Sequence, residues 1–408
     1  MLRSGVLVLL TGLYFAQGLP FGFFTQAVPV LLRDAGYSLT AISLTSLLYA
    51  PWGIKFLWAP AVDRLGTRRR WLLITQLGSA GTAFALAATD VTGSLRWVFV
   101  GIAVINLLAA TQDVATDGLA VRLLGPRDRG IGNGIQTGAY RIGMIVGGGG
   151  LRWVFSEYGW RVLMLTLGCL ILLCTLPVVA LVRDEPRTVE PEPAREALTT
   201  AWWQRLRRPG VVGLIALLAA YKFGNAMASS IAGPFLHDVG LSLGQIALVS
   251  GALSSAGALL GSAVGGWLAY HYGRRPALLA GGVAQTLAIG LYVVAAAGFG
   301  GYGLVVTATM TEHVLGGAAT VALFTLMMDA SEREFAGADY TLLACAVVGA
   351  QGLAGFAGGA VGDVFGYTAA FGTGMVLSGI GCAVFVRALD RGAGPESLTT
   401  WAPRASRA

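Results

Sequence analysis

Six charged side chains fall well inside long apolar runs of this sequence, more than three residues from either end: Lys55, Asp113, Asp117, Arg141, Lys222 and Glu312. Taking a charge out of water is costly, and more so in hydrocarbon, so such residues either mark a solute or ion pathway or neutralise one another. Three are acidic and three basic, so every one of them can be paired. In "NLLAATQDVATDG" (106–118) Asp113 and Asp117 stand four residues apart, on one face of a helix. Lys222, Asn225 and Ser229 form a second polar stripe, spaced i, i+3, i+7, and Tyr14, Gln17, Phe21 and Thr25 a third, interrupted by Pro20. Lys55 and Lys222 are the only lysines in the chain. Loop charge is otherwise carried by arginine, so these two are not placed for topology.

The elements that must position these groups are membrane spans. Of the 408 residues 55% are hydrophobic and only 12% charged, against about 25% charged in a soluble domain. A helical span takes about 20 apolar residues. Twelve runs qualify: 5–32, 40–60, 71–89, 97–121, 131–155, 161–182, 211–232, 243–269, 276–297, 302–328, 340–361 and 367–388. The first reads as a span and not as a removed signal peptide, because no small-residue cleavage site follows it. The longest polar gap, 183–210, is rich in Pro, Glu and Arg and reads as a solvated linker. The expected organisation is therefore a six-helix bundle over 1–182, a cytoplasmic linker over 183–210, a second six-helix bundle over 211–389 and a cytoplasmic tail over 390–408. With the N-terminus inside, 21 of the 28 basic residues face the cytoplasm, four face outward and three lie within spans, which places both termini in the cytoplasm. The net charge of +7 is thus a topology signal, and nucleic acid is not an expected partner. The four cysteines lie in apolar runs without metal-ligand spacing.

The two halves repeat. "RDAGYSL" (33–39) matches "HDVGLSL" (237–243), and Tyr14 matches Tyr221 at an offset of 207. The loop "APAVDRLGTRRRW" (59–71) resembles the signature G-x-x-x-D-R-x-G-R-R of the major facilitator superfamily in Asp63, Arg64, Gly66, Arg68 and Arg69, with Ala59 for the leading Gly. A second copy, "GWLAYHYGRR" (266–275), keeps Gly266, Gly273, Arg274 and Arg275 and has Tyr270 for the Asp. "YFAQGLPFGF" (14–23), "PWGIKFLWAPAVDR" (51–64) and "TQDVATDG" (111–118) resemble the AmpG-like permeases within that superfamily, and "TQDVATDGLAVRLL" is most similar to their rhizobactin/pyochelin-type siderophore importer branch. The resemblance implies an all-α integral membrane protein of twelve transmembrane helices in two pseudo-symmetric bundles. It implies that spans one, four, seven and ten line a central cavity, where Gln17, Asn106, Asp113, Asp117, Lys222, Asn225 and Glu312 fall.

Hairpin geometry sets the expected depths. Asp113 lies roughly 12 Å inside the end of its span, opposite Tyr140 and Arg141, with Lys55 at a similar level, and Asp117 lies opposite Gln136, nearer the cytoplasm. Lys222 and Glu312 lie near the midplane of theirs. Asp113 is either a proton or cargo site or a structural partner of Arg141 or Lys55. Asp117 is either a gate residue or a coupling residue. Glu312, deep enough for desolvation to favour proton uptake, is the expected proton carrier beside Asp113, with a fixed pair to Lys222 as the alternative. Tyr14, Gln17, Phe21, Asp113, Arg141, Lys222 and Asn225 are the expected cargo contacts. Asp63, Arg64, Arg68, Arg69, Asp117, Arg274 and Arg275 are the expected gate. No nucleotide-binding, nucleophilic or metal-binding constellation stands out, so no enzyme activity, cofactor or metal is expected. The expectation is a monomeric proton-coupled secondary transporter of the bacterial inner membrane that imports a ferric siderophore by alternating access. The alternative cargo is a muropeptide or another bulky anionic solute, and a non-transporting sensor is a third reading.

Overall fold

The computed structural model describes residues 4–28, 50–89, 95–183, 203–246, 248–249, 253–398 and 401. The repeat at 33–39, Arg33, the start of the second span, most of the linker and the end of the tail lie outside the described residues. The helices run α1 (Ser4–Gly22), α2 (Ala50–Ile54), α3 (Ala59–Arg64), α4 (Arg68–Leu86), α5 (Leu95–Leu123), α6 (Arg129–Ile145) and α7 (Leu151–Leu181), then α8 (Val211–Asp238), α9 (Leu243–Ile246), α10 (Ser254–His271), α11 (Arg274–Ala296), α12 (Gly301–Ala330) and α13 (Ala336–Asp390). Wide π turns extend α1 over Phe23–Ala27 and join α6 to α7 over Val146–Gly150, and the two turns pack on each other. Seven of the described helical stretches are long and apolar enough to cross a bilayer.

Two of these stretches, Arg129–Leu181 and Ala336–Asp390, are 53 and 55 residues long. A straight helix of that length would reach about 80 Å, far beyond a hydrocarbon core of about 30 Å. Each is broken by one glycine with φ near +80°, Gly159 (φ 76°) and Gly366 (φ 81°), a conformation that a residue with a Cβ rarely holds. The chain doubles back there, because both sides of each break lie on the same helix. Gly12 of α1 faces Cys174 and Pro177, while Gly18 and Gly22 face Tyr140 and Met144. Likewise Gly224 of α8 faces Gly374 and Ser378, and Met227 faces Gly358. Each long stretch thus supplies two spans, as the expected spans 131–155 with 161–182 and 340–361 with 367–388 require.

The expected second span is not one continuous α-helix. It breaks into α2, a 3₁₀ turn at Lys55–Leu57 and α3. Pro60 has no N–H and its ring would collide with the carbonyl four residues earlier, so an α-helix does not run through this point.

The chain forms two compact units. Unit 1 contains Met1–Leu123, Ile135–Ala201 and Arg333–Thr341; unit 2 contains Leu124–Gly134, Trp202–Glu332 and Leu342–Ala408. The core of unit 1 gathers Leu19, Phe23, Phe24, Leu86, Ile102 and Leu167. That of unit 2 gathers Phe235, Tyr292 and Phe371, with the last two rings stacked at 4.8 Å. Exposed Leu173, Leu176, Phe356 and Phe365 are ordinary for surfaces that meet lipid.

The glycines make close helix approach possible. A Cβ on Gly18, Gly22, Gly143 or Gly147 would fall onto the backbone of the facing helix, which cannot move aside as a flexible side chain can. Gly18→Val should lower stability by about 1–3 kcal/mol or more, read as a lower thermal-unfolding midpoint in detergent. Gly53→Ala, where an added Cβ meets nothing within 4 Å, should leave the midpoint unchanged.

Candidate functional site

Unit 1 holds a charged pair at the break in the second span. The 3₁₀ turn aims Lys55 into the unit, where its ammonium pairs with the Asp113 carboxylate of α5. Both side chains are buried, so each supplies the counter-charge that water would otherwise provide. Of the two partners open to Asp113 in the sequence, the structure selects Lys55 and not Arg141, which is half-buried on α6. The Trp52 ring lies 5.3 Å from the Lys55 nitrogen, a cation–π contact. Phe21 makes an edge contact with Trp52 and a tilted one with Tyr140, with ring centres 5.4 and 5.6 Å apart. The Trp58 indole donates to Thr111, two residues before Asp113.

One helical turn from Asp113, Asp117 belongs to a different set. It accepts from the Tyr14 hydroxyl at 2.9 Å and from the Gln136 amide at 3.2 Å, as the expected facing of Asp117 and Gln136 requires. Gln136 in turn meets the Tyr340 hydroxyl at 3.4 Å. The Tyr14 ring is buried, and its hydroxyl is committed to Asp117, so Phe21 is the aromatic of the first-span stripe that keeps a partly open face. Gln17 is also buried, and neither end of its amide has a hydrogen-bond partner among the described residues.

Unit 2 holds a neutral-bridged counterpart. Lys222 donates to Asn225 Oδ1 at 3.3 Å and to Thr320 Oγ at 3.0 Å. The Asn225 amide nitrogen donates to Glu312 at 3.0 Å, and Ser229 donates to the same carboxylate oxygen at 2.7 Å. His313 Nδ1 lies 2.9 Å from the other Glu312 oxygen. The i, i+3, i+7 spacing on α8 thus places all three residues against α12. The fixed pair of Lys222 with Glu312 that the sequence left open is not formed; Asn225 stands between them, because its amide offers an acceptor to one and a donor to the other.

The basic loops build a third and fourth set. In unit 1 the turn at Gly66 (φ 73°) returns Arg68 onto Asp63 at 2.5 Å. Asp63 also accepts from the backbone N–H of Gly337 and Ala338, in the first turn of α13, where a carboxylate favours the helix N-terminus. Arg64 lies over the Phe335 ring, and Arg122 donates to the carbonyls of Arg333 and Glu334. In unit 2 the equivalent turn at Gly273 (φ 87°) sends Arg274 inward and Arg275 outward. Arg274 and Arg129 share the buried Asp329 carboxylate at 2.5 and 2.7 Å, and Arg275 forms a two-pronged exposed pair with Asp390. Tyr270, standing where the first copy has Asp63, takes the Arg127 guanidinium on its ring. Arg69 lies half-buried at the start of α4.

A family model described as Major Facilitator Superfamily matches residues 10–224, more than half of the chain. The protein belongs to the Major Facilitator Superfamily. It is similar to the anhydromuropeptide permease of Escherichia coli K12, at 28% identity over 351 residues that make up 84% of this chain and 70% of that protein. It is also similar to an uncharacterised protein of Haemophilus influenzae, at 29% identity over 308 residues that make up 72% of each chain. The crystal structure of the E. coli fucose:proton symporter superposes with a TM-score of 0.71 at 16% identity, covering 96% of this chain and all of that one, which establishes the major facilitator fold. This superfamily member is therefore a multi-pass membrane transporter. Two E. coli relatives are named for anhydromuropeptides, and they give no support to the siderophore branch expected from "TQDVATDGLAVRLL".

Asp329, Arg129, Thr320 and Tyr340 are site residues that sequence reasoning missed. Asp329 and Arg129 stand one and two residues outside the expected spans, where Arg129 counts as loop charge and Asp329 has no assigned role. Both lie far from Arg274 along the chain, so no local spacing marked them. Asp329→Asn leaves Arg129 and Arg274 buried without their counter-charge and should cost about 3–5 kcal/mol, read by thermal unfolding. Arg275→Ala, which removes an exposed pair, should change the midpoint little.

Proposed function

We propose that this transporter imports an anhydromuropeptide-class solute, a bulky amphipathic sugar–peptide, across the bacterial inner membrane by proton-driven alternating access, with both termini in the cytoplasm. The observation that carries the reading is the similarity to the anhydromuropeptide permease of E. coli over 84% of the chain. The chemistry of unit 1 supports it. Half-buried Phe21, Trp52 and Tyr140 offer aromatic faces to the apolar face of a sugar ring, beside an ammonium and a carboxylate that can exchange their mutual pair for cargo groups. Lys222 and Asn225 in unit 2 are suited to an anionic peptide end. The basic-loop sets around Asp63 and Asp329 are the proposed gate. The ferric siderophore, first expected from the sequence, becomes the competing cargo.

The test is uptake of radiolabelled anhydromuropeptide into vesicles carrying the protein. An inward proton gradient should drive accumulation, a protonophore should collapse it, and excess ferric siderophore should not compete. Competition by ferric siderophore, with no uptake of the muropeptide, would sink the cargo assignment. Asp113→Asn should cut uptake at least tenfold with the protein still present in the membrane. The double variant Lys55→Met, Asp113→Leu should be at least as stable as either single variant, since an apolar pair avoids the cost of one orphaned charge.

A further inference from the structure

Three buried carboxylates of the spans have a basic side chain within ion-pair distance: Asp113 has Lys55, Glu312 has His313, and Asp329 has Arg129 and Arg274. Asp117 has none among the described residues. It is 2% exposed and is held by two neutral donors, the Tyr14 hydroxyl and the Gln136 amide. We propose that Asp117 is the proton-carrying carboxyl of this transporter, an assignment that rests on the proton-driven import proposed above and displaces Glu312 and Asp113 from that role.

The charge count around Asp117 supports this. Tyr14 faces it from α1, Gln136 from α6 and Tyr340 from the start of α13, all uncharged. Lys55 and Asp113 are the charged groups that bear on it. Arg68 of α4 reaches the neighbouring Gly118, but its charge is matched by Asp63. Lys55, Asp113 and Asp117 together therefore carry one excess negative charge, and a single proton brings the set to neutrality. Asp113 is committed to Lys55, and losing its charge would orphan a buried ammonium. Asp117 sits one helical turn away, where the Asp113 charge repels it and where it is buried without an ion-pair partner among the described residues. Protonation there relieves both penalties and breaks no ion pair. The step is a plain proton transfer: an O–H bond forms on one Asp117 oxygen with a proton from one aqueous side, and the same bond breaks to release it on the other, with nothing oxidised or reduced. Tyr14 and Gln136 both donate to one Asp117 oxygen, so a proton on the other oxygen leaves both donors their acceptor.

The experiment compares two modes in proteoliposomes with radiolabelled anhydromuropeptide: accumulation driven by a proton gradient, and counterflow exchange with no gradient. Asp117→Asn, a permanent mimic of the protonated state, should lose driven accumulation at least tenfold and keep counterflow within about twofold. Asp117→Glu, which keeps a titrating carboxyl, should recover driven accumulation in part. Driven accumulation by Asp117→Asn overturns the assignment, and so does loss of counterflow together with accumulation, which marks a cargo or structural role. Gradient-independent accumulation by the unmodified protein overturns the proton-driven reading itself and is read separately, before any variant. Should Asp117→Asn fail to fold, Tyr14→Phe removes one donor from the carboxyl while keeping the ring. A shift of about half a unit or more in the pH midpoint of driven uptake supports Asp117, and an unmoved midpoint counts against it.

Discussion

A charge placed inside a bilayer has no water to screen it, so it must find its compensation within the protein. The cost of leaving it bare is several kcal/mol even after relaxation, comparable to a large part of a domain's net stability. The described architecture answers that constraint in several ways. Lys55 and Asp113 cancel directly, Asp329 is shared between two guanidiniums, Asp63 is held by an arginine and a helix N-terminus, and Glu312 is bound by an amide, a hydroxyl and an imidazole. Such groups meet only if helices approach closely, which is where the glycines enter. With Gly18, Gly22, Gly143 and Gly147 the backbones of α1 and the α6 end of the fifth span come into contact, so the polar side chains above and below that contact reach one another.

The duplicated halves share a scaffold and divide the charge differently. The left-handed turns Gly66 and Gly273 stand 207 residues apart, as do the reversals Gly159 and Gly366. At the same offset Asp113 is replaced by Thr320, Lys55 by Ser262 and Asp63 by Tyr270. Unit 1 consequently carries a full ion pair at its centre, while unit 2 sets its lysine on a hydroxyl and an amide. The backbone features are those that a helix bundle needs in any copy.

The break at Lys55 links these two levels. Pro60 ends the regular helix ahead of α3, and the resulting 3₁₀ turn carries the lysine that balances Asp113. A local steric property of one residue thereby decides where a buried ammonium sits. π turns at Phe23–Ala27 and Val146–Gly150 distort the same unit, and local departures of this kind recur at functional sites in helical proteins.

Much of this was legible in the sequence, because some of its determinants are local. Run length and apolar composition place the spans, a glycine between basic residues marks the two signature turns, and the i, i+3, i+7 stripe predicts which face of α8 is polar. Pairing was not legible. Asp113 had two cationic candidates, and hairpin register alone does not separate Lys55 from Arg141, since both lie at its depth. Glu312 and Lys222 look like a pair on charge alone, until Asn225 is found between them. Asp329 and Arg129 look like loop charges until folding buries them. The neutral donors that hold Asp117 come from other helices, with residue 340 beside them from far away in the chain, and no spacing along one helix encodes that. Helices and turns follow from short-range sterics and hydrophobicity, which a sequence states directly. Which charges cancel depends on angles and distances of a few ångströms between helices, and only the packed tertiary structure decides those.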